Sequence, residues 1–567
     1  MTRSRHVGVA FHRAWAFWTG TGMVAVGVLL HLPDFAAAAA MHYRMAGMPM
    51  GLPMRVGMVL ICGGTLLAGW GLLPRRSALV GGAAGAARYH LRAMDEASLT
   101  PAHWGLLFVL GVALVVDVMK PATLGFVMPG MKAEYGLGTL EVSIFPVSAL
   151  TGTVVGSLLW GVLADRLGRR AAILLSSILF VGTAICGAMP AFGWNVFMCF
   201  LMGSAAGGML PIVYALMAEC VPAGKRGWLV VLHGGMGTAG GYLAAAGAAA
   251  LLEPHFSWRV LWFLNLPTGL LMLWLNRWIP ESPRFLLQCG RLAEARAVMA
   301  RFGVRVEERP ASPVPDDPVT GGQPLVRYAE VGRLFRRGLR SQTVTVSLYG
   351  LGWGVVNWGF ITFLPTVMHQ AGIETGDASR LLFFSSLLSI PGTALVAYLY
   401  GRWSSKRTMI AYALATGATL AAFAVLDPGA GSRAVLTALI VGLLVSSGGV
   451  ISILSPYTAE VYPTALRGTG SGLAAASSKV GGIFGPPLVA ALLSTTGTLT
   501  VPALVAAAPM VAAAVVLLVT GLETRGRRLE EIAEDRTAGD PVARVTPHSA
   551  RDAASGGRGS ASSAPSV

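Results

Sequence analysis

The chain has 567 residues, of which 54% are hydrophobic and only 12% charged, with a formal net charge of +16. Soluble globular domains carry roughly 25% charged residues, so a soluble domain is excluded. Apolar runs recur along the chain, each close to the ~20 residues that cross about 30 Å of hydrocarbon as a helix, and the fold class is an all-α polytopic membrane protein.

In chain order, two spans are expected first, at 14–31 and 56–73. The loop between them carries Met41, His42, Met45, Met48, Met50 and Met54. Thioether and imidazole ligands suit Cu(I), but no Met/His ladder continues into the later spans. The loop therefore reads as an apolar segment at the membrane interface, with Met used for adaptable packing, and no metal or other cofactor is called for. Cys62, Cys186, Cys199, Cys220 and Cys289 form no C-x-x-C pair, so no disulfide framework or zinc site follows. A core set of six spans is expected at 104–128, 143–164, 171–190, 195–218, 228–252 and 257–278. A polar segment, 279–342, comes next. Its Pro-, Asp- and Gly-rich part, 308–325, reads as a flexible linker, and 326–340 as an amphipathic helix on the membrane surface. Six further spans are expected at 343–368, 380–401, 408–426, 433–459, 468–493 and 499–521, fourteen in all. From 537 the Ser-, Ala-, Gly- and Arg-rich tail has too little apolar surface to fold. No cleavable signal peptide is evident at the N-terminus.

Charge sets the orientation. With the N-terminus inside, the outside loops hold only Arg44, Arg55, Lys132, Arg259, Arg380 and Arg433, and Lys120 and Lys479 fall within spans. The remainder of the 43 Lys and Arg lie inside, and the bias survives discounting the long central loop and tail. Both termini are expected in the cytoplasm, and the positive charge is a topology signal that requires no nucleic-acid partner.

An internal repeat divides the core. Residues 218–227 read A-E-C-V-P-A-G-K-R-G and 459–468 read A-E-V-Y-P-T-A-L-R-G, with Glu219 and Arg226 matched to Glu460 and Arg467 at a constant offset of 241. Each copy closes the fourth helix of its set, as two homologous six-helix halves would require. Transporters built from such repeats place their substrate near the midplane, between the repeats. The expected organisation is a two-helix extension (1–95), a first six-helix bundle (96–280), a cytoplasmic linker (281–342), a second bundle (343–522) and a tail (523–567). Between the second and third core helices lies Gly161-Val-Leu-Ala-Asp-Arg-Leu-Gly-Arg-Arg170. Its counterpart, Gly401-Arg-Trp-Ser-Ser-Lys-Arg407, keeps the cations but has no acid.

The G-x-x-x-D-R-x-G-R-R hairpin resembles the signature of the major facilitator superfamily. Pro280-Glu281-Ser282-Pro283-Arg284 resembles the P-E-S-P-R motif of sugar porters and related organic-solute symporters, and Leu522-Glu523-Thr524-Arg525-Gly526-Arg527 resembles their P-E-T-K-G-R. Trp258-Arg259, opening the sixth core helix, is also typical of them. The resemblance covers about 100–532. It implies alternating access, and a cytoplasmic ion-pair network at Asp165, Arg169, Glu219, Arg226, Glu281, Arg284, Glu460, Arg467 and Glu523 that latches the halves in the outward-facing state. Two departures narrow the reading. The seventh core helix, Gly352-Trp-Gly-Val-Val-Asn-Trp358, lacks the Gln residues of hexose carriers, and the fifth lacks the G-P-x-x-G of drug antiporters.

Ionisable groups inside a membrane cost about 2.5–3.5 kcal/mol on insertion scales and mark function by default. Asp117 and Lys120 lie three residues apart on the first core helix, on one face, and Lys479 lies midway along the eleventh. Related symporters use an acid on the first helix as the proton carrier, which the resemblance places at Asp117. Lys120 and Lys479 are expected to attract an anionic solute, with Trp353 and Asn357 lining the cavity. His233 reads as a packed polar residue. The functional expectation is proton-coupled symport of a small organic carboxylate across a bacterial inner membrane, by a monomer whose partners are substrate, protons and lipid. A multidrug or metabolite exporter and a transporter-fold solute sensor are the alternatives. No catalytic triad, phosphate loop or metal motif points to an enzyme.

Overall fold

The computed structural model describes residues 13–73, 98–289, 291–304, 332–335, 339–370, 372–426, 433–462 and 466–524. Most of the expected surface helix at 326–340, the linker 308–325 and the tail from 537 lie outside them. Among the described residues every regular element is helical, and twelve helical segments are long and apolar enough to cross a membrane.

The extension is a helical hairpin, α1 (Ala14–Leu29) and α2 (Leu52–Leu72). Its helices meet through glycines. A Cβ on Gly20 would strike the Ala68 backbone nitrogen at 2.6 Å, and one on Gly27 would strike the Gly57 carbonyl at 2.7 Å. This is how membrane helices associate when small residues let backbones approach. The first bundle comprises α3 (Pro101–Tyr135), α4 (Ile144–Leu167), α5 (Arg169–Gly182), α6 (Phe192–Ala206), α7 (Met209–Cys220), α8 (Ala223–Phe256) and α9 (Asn265–Leu275). Two short helices follow, α10 (Pro283–Gln288) and α11 (Leu292–Arg301). The second bundle comprises α12 (Arg340–Gly354), α13 (Leu364–Gln370), α14 (Thr375–Arg402), α15 (Ser405–Val425), α16 (Arg433–Val461), α17 (Arg467–Thr496) and α18 (Thr500–Thr520).

Two of the expected fourteen spans give no helical segment long enough to cross a membrane among the described residues. The fourth core span is divided at Gly207–Gly208 into α6 and α7. The sixth is divided into Val260–Phe263, α9 and the 3-10 turn Asn276–Trp278. The first break has a packing cause. α6 lies so close to α4 that a Cβ on Gly152, Gly156 or Gly203 would collide with a backbone carbonyl of the facing helix. Trp160 of α4 donates its indole N–H to the Ser204 carbonyl at 2.6 Å.

The bundles meet along α8 and α14, and also at the end opposite the 161–170 hairpin. There Gly125 of α3 faces the Thr362 carbonyl, where a Cβ would lie 2.8 Å from the oxygen. Met128 and Val142 of the first bundle share a buried apolar cluster with Phe363, Val489 and Ala490 of the second. At this same end the Met-rich loop is packed down. Met45 and Met54 are buried, and Met48 and Met50 pack against the core.

Candidate substrate and coupling site

α3 carries Pro121, which has no N–H to donate to the carbonyl four residues back, that of Asp117. The helix is thus weakened at the turn that bears its two charges. Asp117 and Lys120 are both buried, with Lys120 Nζ 3.8 Å from Asp117 Oδ1. That Oδ1 accepts no hydrogen bond from any described residue. The Lys120 ammonium also stands 3.4 Å above the Phe180 ring of α5, within its own bundle. Such an ammonium over an aromatic face is stabilised by the ring quadrupole. The structure therefore holds Lys120 as the partner of Asp117, packed against α5.

Lys479 is placed differently. α17 packs almost backbone to backbone against α12 and the turn that follows it, with a Cβ on Gly359 lying 3.0 Å from Gly485 and one on Gly485 3.1 Å from Gly359. This brings Lys479 level with the Val355–Phe360 segment, a π-helical turn that contains Asn357. From there Lys479 reaches across to the first bundle. Its Nζ donates to the Ser157 hydroxyl and lies 3.4 Å from the Thr153 carbonyl, both on α4. Lys479 is the second cation, after Lys120, within electrostatic range of Asp117. Asp117 is thus paired with the lysine of its own bundle, while the lysine of the other bundle is bonded to α4.

Trp353 and Asn357 are partly buried on the seventh core helix. The Trp353 indole N–H is buried with no acceptor among the described residues, and the Asn357 carbonyl accepts a 3.0 Å bond from Thr362. Two tyrosines missed at the sequence level also carry unpaired polar tips within the spans. The hydroxyls of Tyr242 on α8 and Tyr349 on α12 are buried without a described partner, and Tyr242 packs 5.7 Å from Phe126 of α3. The available signal was a phenol in mid-span, which carries a polar tip that needs a partner. His233 has both ring nitrogens engaged, at 3.0 Å from the Leu229 carbonyl and 2.9 Å from the Leu107 carbonyl, as expected of a packed polar residue.

The motif acids lie at the hairpin end and cap helices. Gly168 has φ +100°, a conformation that L side chains rarely adopt, and turns the chain from α4 into α5. The Glu281 carboxylate then receives the first N–H groups of α5, from Arg169 at 2.8 Å and Arg170 at 3.3 Å. An acid at a helix N-terminus satisfies orphan donors and complements the dipole. In the second bundle Glu523 does the same for α15, accepting the Ser405 N–H at 3.0 Å and the hydroxyls of Ser404 and Ser405. The repeat therefore extends to the two motif acids. Arg169 pairs with Glu219 at 3.6 Å. Glu460 accepts bonds from Tyr400 and Thr524, both at 2.6 Å. Burial raises the Glu281 and Glu460 carboxyls above their ordinary values. The side chains of Asp165, Arg226, Arg284 and Arg467 lie outside the described residues.

A family model described as "Major Facilitator Superfamily" matches residues 110–486. The chain belongs to the major facilitator superfamily. This major facilitator is 26% identical to a niacin transporter of Acinetobacter baylyi over 76% of its own length and 96% of the relative. It is 27% identical to a 4-hydroxybenzoate transporter of the same organism, covering 76% and 93%. A benzoate transport protein, also of that organism, is 26% identical over 71% and 86%. Among solved structures, an inward-open xylose transporter of Escherichia coli superposes with a TM-score of 0.58 at 19% identity, covering 76% of this chain and 99% of the other. That likeness establishes the shared fold. This major facilitator is accordingly a multi-pass membrane transport protein, and its relatives fit almost whole within about three quarters of its length.

Proposed function

We propose that this major facilitator is a proton-coupled symporter of a small aromatic carboxylate. The observation that carries the reading is a buried Asp117–Lys120 pair in the first bundle together with Lys479, which reaches from the second bundle to Ser157 and Thr153 of the first. Niacin, benzoate and 4-hydroxybenzoate, named in the three relatives, are all aromatic carboxylates. Trp353 and Tyr242 offer ring surfaces and free hydrogen-bonding groups for such a solute.

Asp117 takes the proton, and Lys479 is the carboxylate's anchor. When substrate arrives, its carboxylate competes with Ser157 and Thr153 for the Lys479 ammonium. The α17–α4 bridge is then exchanged for a substrate contact, and the bundles are freed to rock. Lys120 stays with Asp117 and sets its readiness to ionise, since a neighbouring cation favours the carboxylate while burial opposes it. The motif acids act at the hairpin end, where a network of pairs biases two states separated by a few kcal/mol. The orientation follows the charge asymmetry, with both termini cytoplasmic in a bacterial inner membrane. The tight apolar contact between bundles then lies on the external side.

The test uses purified protein in liposomes that enclose a pH-sensitive dye. Addition of benzoate, 4-hydroxybenzoate or niacin should acidify the interior, and the Asp117→Asn variant should not. Acidification that persists in Asp117→Asn removes Asp117 as the carrier. Silence with carboxylates, but alkalinisation of acid-loaded liposomes by cationic drugs, replaces the symporter with an exporter.

A further inference from the structure

The second hairpin, Gly401-Arg-Trp-Ser-Ser-Lys-Arg407, keeps the cations of the first without its acid, and the transport mechanism makes no use of them. In the structure these residues wall an open cavity of about 830 Å³ between the start of α15 and the end of α18. Lys406 and Arg407 supply the charge, Trp403 one wall, and Ile410 and Leu518 the apolar floor and rim. Lys406 is held in place because its Nζ donates to the Leu518 carbonyl at 3.0 Å, one of the carbonyls left unpaired at the end of α18. Glu523 also lines the cavity, but its carboxylate is already engaged by Ser404 and Ser405.

The apolar side faces outward. Leu518 is 55% exposed and its neighbour Val519 81%, both in the last turn of a helix apolar enough to cross a membrane. Trp403, 46% exposed, stands where aromatic side chains collect at a membrane interface. Two cations, an interfacial indole and a lipid-facing aliphatic rim at one mouth match a phosphate group with acyl chains attached. Basic pockets between membrane helices on the cytoplasmic side are a known way of holding acidic headgroups.

We propose that this cavity binds the headgroup of an acidic phospholipid, with its phosphate on Lys406 and Arg407 and its chains along Ile410 and Leu518. The cavity shares Glu523 with the motif contacts, and Thr524 of that motif bonds Glu460. An occupied site therefore stiffens the hairpin end of the second bundle. The orientation proposed above puts the cavity in the cytoplasmic leaflet, but lipid binding stands or falls independently of the transported substrate.

The experiment is native mass spectrometry of the full chain in detergent, titrated with phosphatidylglycerol or phosphatidylcholine. One phosphatidylglycerol should be retained preferentially. Lys406→Gln with Arg407→Gln should weaken its retention about tenfold or more, since each cation near an acidic surface is worth several-fold. Inorganic phosphate at millimolar concentration should leave the lipid bound. Equal retention of phosphatidylcholine, or unchanged retention in the double variant, overturns the proposal. Displacement of the lipid by phosphate reassigns the site to a free anion. Thermal unfolding checks the double variant's fold. Where that variant does not fold, Arg407→Gln alone, at an exposed side chain, gives the same reading with a several-fold loss.

Discussion

A carboxylate buried in a membrane with one oxygen lacking any described donor is costly unless that cost serves a purpose. Asp117 is in that position, 3.8 Å from Lys120. Asp117→Asn keeps the shape and removes the titration. It should abolish accumulation driven by a proton gradient while leaving exchange of labelled for unlabelled carboxylate intact. Loss of exchange as well would mean that Asp117 serves binding or folding and not coupling. Lys479 predicts a different signature. Its Nζ is bonded to Ser157 and Thr153, and a substrate carboxylate must replace those partners. A hydrogen bond to a charged group contributes about 1.5–3 kcal/mol, so Lys479→Met should raise the substrate KM roughly ten- to hundred-fold. Lys120→Met, by contrast, should act on the pH dependence of transport. The sequence exposed these three charges because polar residues in apolar runs stand out. It did not separate their roles, since spacing along one helix says nothing about a lysine that turns to Phe180 or one that reaches another bundle.

The elements were mostly legible, because hydrophobic runs and turn residues report helix limits directly. The breaks in the fourth and sixth core spans were not. The first has its cause in contact between backbones at Gly152, Gly156 and Gly203, which no property of a single helix reports. Gly156→Val should therefore destabilise the first bundle by roughly 1–3 kcal/mol, the usual cost of overpacking, read as a lower thermal midpoint in detergent. The motif acids were legible as a family pattern, but their local task, capping α5 and α15, required coordinates. That task has a pH signature. Burial holds Glu281 above its ordinary value of 4.5, so the fold favours the protonated acid. This contribution to stability is fully present below pH 4.5 and is lost as pH rises through the raised value. Wild-type protein should thus lose thermal stability on going from about pH 4.5 towards neutrality, relative to Glu281→Gln, which does not ionise. Parallel midpoints for the two proteins across that range would show that Glu281 does not titrate there.

At the scale of the whole molecule, the extension is the part that sequence reasoning left without a role. Its helices pack against α5, and its loop is tied down by Glu134 at the end of α3. Glu134 Oε1 accepts the N–H groups of Met45 and Ala46, at 2.8 and 3.0 Å, from the Met-rich loop. The same carboxylate pairs with Arg259 at 2.7 Å and accepts the Trp258 indole N–H at 3.0 Å. Arg259 is fully buried and also donates to the carbonyls of Gly187 and Met189 and to the Tyr135 hydroxyl. One carboxylate therefore joins the extension, the first core helix and the Trp-Arg motif. Of the loop's methionines, Met45 and Met54 are buried, and Met48 and Met50 pack against the core. Because Glu134 and its partners all belong to the first bundle or the extension, the added hairpin travels with that bundle when the halves rock. Glu134→Ala should have two effects. It strands a buried guanidinium, at a cost of about 3–5 kcal/mol, and it frees the loop to be cleaved between 41 and 50 by limited proteolysis. Arg259→Met with Glu134→Met removes both charges, and should restore much of the stability while leaving the loop cleavable. A double variant that is stable and still resists cleavage would show that the apolar contacts of Met45 and Met54, and not the carboxylate, hold the extension down.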